Sequence, residues 1–480
     1  MRVSRRALML GAGAATLGSM APVRRGLADP EIKEYRLTAK PAVVNLTGNG
    51  HSDTAVWAYE GTVPGPEIRV SQGDRVRIVV SNQFAEETTV HWHGIRVPNG
   101  MDGVPGLTQP PIRRGESFVY EFTPPDAGTF WYHPHADTLQ QLGRGLAGGL
   151  IVEEREPIAV DRDLLWFIED WRLDDGGHIA PGFGNRMEAG MSGRVGNVVS
   201  INGRVPKPVS VRAGERVRLR IVNAALARIV GLRFEGHRPV VVAYDGQPCE
   251  PVTLESGRLV LGPAMRADLI IDMDGKQGQT YHVIDDFYRD LAYQLVDFAY
   301  GPTKPIPGHR PPTRCPSRTL PPPSATRSRW GGMMSGKGMM GSGGMMGSRG
   351  MMGGGGMMRG VPMMGGMGDA VWTINGTSMT GDGQPNMPPL FTLRRGQTCV
   401  LLLRNETASW HPMHLHGHSF RVISRNGRSN ARWEWRDTVL IPPRERVEIA
   451  FVADNPGNWM FHCHVTDHQM AGMMAVLRIL

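Results

Sequence analysis

Val70-Ser71-Gln72-Gly73-Asp74-Arg75-Val76-Arg77-Ile78 reads as a glycine turn followed by a strand of alternating character. The pattern returns as Val211-Arg212-Ala213-Gly214-Glu215-Arg216-Val217-Arg218-Leu219 and again as Leu393-Arg394-Arg395-Gly396-Gln397-Thr398-Cys399-Val400-Leu401. Each strand leads to an asparagine: Asn82, Asn223 and Asn405. Self-similarity at domain scale predicts three related β-sandwich domains. We place them at 29–155, 156–305 and 369–480. The stretch 306–368 is Pro-rich to Pro323 and then rich in Gly and Met. It is poor in core-forming residues and is expected to be loop or disordered.

Working outward, short β-rich runs recur at Arg75 to Val80, Ser117 to Phe122, Arg216 to Val222, Cys399 to Leu403 and Arg446 to Val452. With 62 Gly and 37 Pro in 480 residues, the balance suits an all-β chain with many turns. No apolar run reaches the 18 residues that a spanning helix needs. Residues 1–28 have the form of an export signal. Ser4-Arg5-Arg6-Ala7-Leu8 is a twin-arginine pattern, an apolar run follows to Leu17, and small residues suit cleavage after Ala28. Taking the five arginines of this segment from the 53 basic residues leaves 48 against 45 acids, a net of +3. The formal +8 therefore does not point to nucleic acid, and no aromatic-basic module stands out.

Four histidine pairs with one intervening residue occur: His91-Trp92-His93, His133-Pro134-His135, His414-Leu415-His416 and His462-Cys463-His464. In a strand, residues i and i+2 share a face, so each pair can present two imidazoles to one place. Imidazole suits copper, zinc and iron alike, and one pair alone says little. Four pairs using eight of the 16 histidines make a metal cluster the expectation.

Cys463 faces away from its two histidine neighbours in an extended strand. It can hold one metal while His462 and His464 reach others on the opposite side. A blue copper site takes two imidazoles, a thiolate and a weak axial thioether. His468 and Met473 follow Cys463 at five and ten residues, and His411 lies just before the third pair. Met470 and Met474 are rivals for the axial place. The remaining cysteines, Cys249, Cys315 and Cys399, are too few for a disulfide framework, although one bridge can form among them. His51 and His418 are expected to be surface or packing residues. His178, His237, His282 and His309 fall in no constellation.

These runs resemble the multicopper oxidase family, which includes laccases, bacterial cuprous oxidases and related manganese and bilirubin oxidases. The residues that carry the resemblance are His91-Trp92-His93-Gly94, Trp131-Tyr132-His133-Pro134-His135, His411-Pro412-Met413-His414-Leu415-His416-Gly417 and His462-Cys463-His464-Val465 through Met473. The resemblance implies three cupredoxin-like Greek-key sandwiches, with a Met-rich low-complexity insert before the third. It implies four copper ions. The type 1 ion would be held by His411, Cys463, His468 and Met473. The type 2 ion would take His91 and His414. The type 3 pair would take His93, His133 and His464 on one ion, and His135, His416 and His462 on the other. The cluster would lie between the first and third domains, with the second as a spacer. A monomer is expected.

The same resemblance implies that a reductant gives single electrons to the type 1 site, and that dioxygen takes four electrons and four protons to become two waters. It assigns the acid near the cluster to Asp102. Gln469 stands where cuprous oxidases often carry Glu, and an amide has no proton to supply in that way. Met-Met pairs recur at 333, 339, 345, 351, 357 and 363, with Met367 following. Thioethers favour Cu(I), so residues 333–367 are expected to gather that ion as substrate. Lys337, Arg349 and Arg359 lie within the repeat and oppose it. Thr407-Ala408-Ser409-Trp410 precede His411, where cuprous oxidases have an Asp and a Met. Phenols, aromatic amines or Mn(II) are therefore alternative reductants, with Trp410 as part of an aromatic rim. A copper-sequestering protein is the non-enzyme alternative.

Overall fold

The computed structural model describes residues 32–48, 52–254, 257–307, 327–336, 371–380, 387–430 and 434–480. Its strands form six sheets that pack in pairs. In the first pair, Thr54–Tyr59, Ile32–Val44, Arg75–Asn82 and Ser117–Phe122 face Gly65–Ser71, Gly148–Glu153, Gly128–His133 and His91–His93. Leu37, Val76 and Ile78 from one sheet meet Ile68, Phe130 and Leu150 from the other in a shared core. The second pair is built from strands between Arg162 and Tyr300, and the third from strands between Arg327 and Ile479. Each has its own apolar core. This is the all-β, cupredoxin-like architecture expected from the sequence. Among the described residues, no helix is long and apolar enough to cross a membrane.

The repeated motif does the same work three times. Gly73, Gly214 and Gly396 take φ of +91°, +81° and +81°, values that favour glycine. The next residue reaches back in each copy: Asp74 Oδ2, Glu215 Oε2 and Gln397 Oε1 accept the backbone N–H of Ser71, Arg212 and Arg394 at 2.9, 3.0 and 3.0 Å. The strand then ends on the asparagine. Asn82, Asn223 and Asn405 accept the N–H two residues on, at 2.9, 3.2 and 3.0 Å. Their Nδ2 groups donate across the sandwich to Ile112 O, Leu261 O and Ile441 O at 2.9, 3.0 and 3.1 Å. A buried amide with most of its hydrogen-bonding capacity filled fixes where each strand stops.

One expectation is corrected. Residues 327–336, read as linker, form a strand that pairs in parallel with Thr398–Asn405, from Arg327 opposite Thr398 to Met334 opposite Asn405. Ile32–Val44 pairs in the same way with Arg75–Asn82, and Arg162–Trp171 with Arg216–Asn223. Every sandwich needs this strand, and ladder bonds are made by backbone whatever the side chains. The Gly/Met composition hid it. The first Met pair, Met333 and Met334, lies in this strand, so the insert follows the first strand of the third sandwich instead of preceding that domain. The rest of the repeat, from Met339 to Met367, lies outside the described residues, as do the signal segment, His51, His309 and Cys315. None of Cys249, Cys399 and Cys463 is in a disulfide.

Candidate metal centre

Two strand pairs bring the histidines together. His91–His93 runs antiparallel to Gly128–His133, with His91 opposite His133 and His93 opposite Trp131. His411–Leu415 runs antiparallel to Gly457–Cys463, with His414 opposite His462 and Met413 opposite Cys463. Opposed residues share a face. His414 and His462 therefore point one way, and Met413 and Cys463 the other, into the core of the third sandwich.

The histidines meet between the first and third sandwiches in groups whose donor atoms lie within 4.8 Å of one another: His91, His93 and His414; His93, His133 and His464; His135, His416 and His462. A separate group joins His411, Cys463 and His468. All of these side chains are buried. The rings are tightly stacked, with centroids 3.8 Å apart for His91 and His416 and for His93 and His414.

Hydrogen bonds fix which ring nitrogen is free. His91 Nδ1 donates to Asp102 O at 2.8 Å, His133 Nδ1 to Pro134 O at 2.8 Å, His414 Nδ1 to Asp437 O at 2.9 Å and His462 Nδ1 to Cys463 O at 2.9 Å. His416 Nδ1 lies 2.8 Å from Asp102 Oδ2. A carbonyl only accepts, so the proton sits on Nδ1 and Nε2 keeps its lone pair. Among the described residues, His91 Nε2, His133 Nε2 and His414 Nε2 have no hydrogen-bond partner, nor has either ring nitrogen of His135 and His464. His416 Nε2 and His462 Nε2 face each other at 3.1 Å, two lone pairs in contact. Buried acceptors arranged in this way are costly unless a cation sits among them.

At the cysteine group the tautomers reverse. His468 Nε2 donates to Met191 O at 3.0 Å, and His411 Nε2 meets Thr407 Oγ1 at 2.8 Å. Both Nδ1 atoms turn to Cys463 Sγ, at 3.6 Å from His411 and 3.7 Å from His468. Met473 is buried in the same core as Cys463, and its carbonyl accepts the Cys463 N–H at 3.0 Å. Of its rivals, Met474 packs into a different cluster with Met460 and Met379, and Met470 packs beside Leu139 and Phe167. Two imidazoles, a thiol and a nearby thioether fit a soft, one-electron metal ion.

Burial sets the protonation states. Desolvation, helped by neighbouring rings, lowers the pKa of His93, His133, His135, His411, His414, His416 and His464. His462 falls to about 3 and His468 to about 4. They are neutral, the form that binds metal. Burial also pushes the Cys463 thiol up, so a metal must displace its proton.

Asp102 is fully buried in a loop of the first sandwich and holds both His91 and His416. The sequence reading missed its counterpart, Asp437. Its Oδ1 lies 3.2 Å from His93 Nε2, and its carboxylate takes two bonds from Arg266, at 2.8 and 2.6 Å. Burial raises the carboxyl pKa, and the Arg266 and His414 partners outweigh that, holding it far below the usual range. Arg266 comes from the second sandwich, as do Met191 and Leu226, whose carbonyl accepts the Thr466 N–H at 3.0 Å. That sandwich is thus more than a spacer. Nothing in the spacing of a lone Asp or Arg marks these residues. His418 packs between Phe451 and Trp459, as expected of a packing residue. His178, His237 and His282 pair with Asp174, Tyr300 and Asp297, away from the cluster.

Known proteins match this arrangement. Three family models described as multicopper oxidase match residues 42–157, 165–296 and 361–480. The multicopper oxidase MmcO of Mycobacterium tuberculosis is 30% identical over 468 residues, which cover 91% of this chain and 85% of that protein. A crystal structure of a multi-copper oxidase from Pseudomonas thermotolerans is 32% identical and superposes with a TM-score of 0.81, covering 94% of this chain and 100% of that one. The Campylobacter jejuni multicopper oxidase, described as a metallo-oxidase, is 27% identical, with a TM-score of 0.74 over 93% of this chain and 91% of that one.

Proposed function

The chain belongs to the multicopper oxidase family of copper-dependent oxidoreductases, and on that premise we propose that it oxidises Cu(I), one electron at a time, and reduces dioxygen to water. The family uses four copper ions. Here His411, Cys463, His468 and Met473 would hold the type 1 ion, and His91 and His414 the type 2 ion. His93, His133 and His464 would hold one type 3 ion, and His135, His416 and His462 the other. Bound copper supplies the one-electron redox steps and the dioxygen chemistry.

The single observation that carries this reading is the two-sided strand at Cys463. Its thiol turns into the third sandwich, while His462 and His464 turn to the interdomain cluster. The donors of the two sites are joined by the covalent bonds of adjacent residues. The chain's other groups hold this frame. Asp102 orients His91 and His416, and we assign to it the supply of a proton at the cluster. Asp437, gripped by Arg266, orients His93 and His414. Trp131 stacks on His133 at 4.4 Å and closes that side against water.

Cu(I) is the favoured reductant because the repeat from Met333 to Met367 offers many soft thioethers and no His or Asp. The twin-arginine segment supports export to the periplasm after folding, in keeping with a role in copper homeostasis. A laccase-like oxidation of phenols, aromatic amines or Mn(II) is the rival, favoured by the Thr407 to Trp410 run before His411. Oxygen uptake by the copper-loaded protein separates the two. Faster uptake with Cu(I) than with a phenol as sole reductant supports the proposal, and the reverse supports the rival.

A further inference from the structure

Trp372 lies against both histidines of the Cys463 group. Its ring centroid is 5.1 Å from that of His411, nearly edge-on at 75°, and 4.5 Å from that of His468, tilted at 43°. The same apolar cluster holds Trp372, Cys463 and Met473, so one indole borders the whole candidate type 1 ligand set. The residue is buried and pinned on two sides. Val371 N–H and Trp372 N–H donate to Ala471 O at 3.0 and 3.1 Å, in the loop between His468 and Met473. Trp372 Nε1 donates to Ala189 O of the second sandwich at 2.5 Å. A Cβ on Gly472 would come within 2.7 Å of Trp372 O, so the ligand loop runs directly over this strand.

The fold alone does not ask for an indole here. Trp57, Val199 and Trp372 occupy equivalent places in the three sandwiches. Two residues on, Tyr59, Ile201 and Ile374 bridge to Thr62, Arg204 and Thr377. Each bridge closes a turn with a left-handed residue before a glycine: Glu60-Gly61, Asn202-Gly203 and Asn375-Gly376. The second sandwich fills the place with Val199, so the strand and its turn form without a ring. In the first, Trp57 packs on Phe84 at 4.6 Å and carries the Arg144 guanidinium at 5.0 Å. In the third, the ring meets the two histidines instead.

Charge gives that contact a consequence. With the Cys463 thiolate, an oxidised copper site carries a net charge of +1 and a reduced one carries none. Reduction adds one electron, with no bond broken and no proton moved. An apolar, dry surrounding penalises the charged state more than the neutral one, and the shell around a metal site sets its potential in this way. We propose that Trp372 is a positioning residue of the type 1 site: its indole keeps water from His411 and His468 and so holds the reduction potential of the site up. The inference rests on the type 1 ligand assignment above.

The test is an anaerobic redox titration of the blue band in the full chain loaded with copper, against a one-electron mediator of known potential. Trp372→Ala opens the place of the ring to water. Its equilibrium with the mediator should shift about tenfold toward the oxidised form, a fall of about 59 mV. Trp372→Phe keeps an apolar ring and removes the bond to Ala189 O, and should stay within about twofold of the parent. Trp372→Leu should fall between them, and it decides the matter by the same titration if Trp372→Ala holds no blue copper. An unchanged potential in Trp372→Ala overturns the proposal. So does a Trp372→Phe variant that falls as far as Trp372→Ala, because the tether to Ala189, and not the ring, would then govern the site. A parent without a blue band would sink the type 1 assignment itself, whereas a blue parent with insensitive variants sinks only the role of Trp372.

Discussion

Arg266 reaches from the second sandwich to grip both carboxylate oxygens of Asp437 in the third, at 2.8 and 2.6 Å, and its Nε donates to Thr129 O of the first at 3.2 Å. One fully buried guanidinium thus ties all three sandwiches behind His93 and His414. The pair also explains Gly94, which sits at φ +86° and where a Cβ would collide with both groups.

Removing one partner leaves the other buried and unpaired. Asp437→Ala should cost about 3–5 kcal/mol of stability, read by urea denaturation of the metal-free protein. Asp437→Asn keeps the volume and should be milder in stability. Copper analysis should show it losing the type 2 ion first, since His414 loses its anionic neighbour.

Thr407 fixes the ring of His411 from behind, at 2.8 Å. Thr407→Val preserves shape and removes that bond. Affinity at the Cys463 group should fall by about 10-fold or more. Titration of the blue absorption band checks this, and the three-histidine groups should be unaffected.

Asn223 fills its amide with bonds to Leu261 O and Arg228 O at 3.0 and 2.9 Å. Asn223→Ala should destabilise by about 3 kcal/mol, because buried carbonyls lose their donor. The equivalent changes at Asn82 and Asn405 should act alike in thermal unfolding, since the three motifs share one geometry.

Glu169 is buried on the second sandwich, and its Oε2 has no hydrogen-bond partner among the described residues. Burial first, and the neighbouring Asp170 second, raise its pKa well above the ordinary value. A raised carboxyl binds its proton more tightly when folded, so it lowers stability as pH rises above the unfolded pKa of about 4.3. Glu169→Gln should therefore be more stable than the parent by about 1 kcal/mol or more at pH 8, and the gap should close toward pH 4. Melting temperatures at the two pH values decide it.

Much of the site is legible in the sequence because a strand has a period of two. His91 and His93, or His462 and His464, must share a face, and Cys463 must oppose them. The three Gly-to-Asn motifs are legible for a similar reason, since each residue answers a local backbone demand. What escapes is long-range or made by backbone. Asp437 and Arg266 meet across 171 positions of chain, and neither carries a pattern of its own. The Met191 contact uses a carbonyl, which every residue has. The strand Arg327–Gly336 is held by ladder bonds, so its Gly and Met content argued for a linker where the third sandwich places a strand between Trp372–Ile374 and Thr398–Asn405.

The central claim is that Cys463 links an electron-accepting site on one face of its strand to a three-metal cluster on the other. Cys463→Ser tests it most directly, by copper content, visible absorption and oxygen uptake on one preparation. The account predicts a parent with four copper ions and a blue band. It predicts a variant with three ions, no blue band and no oxygen uptake from an external reductant. A variant that loses the blue band yet takes up oxygen at the parent rate would contradict it.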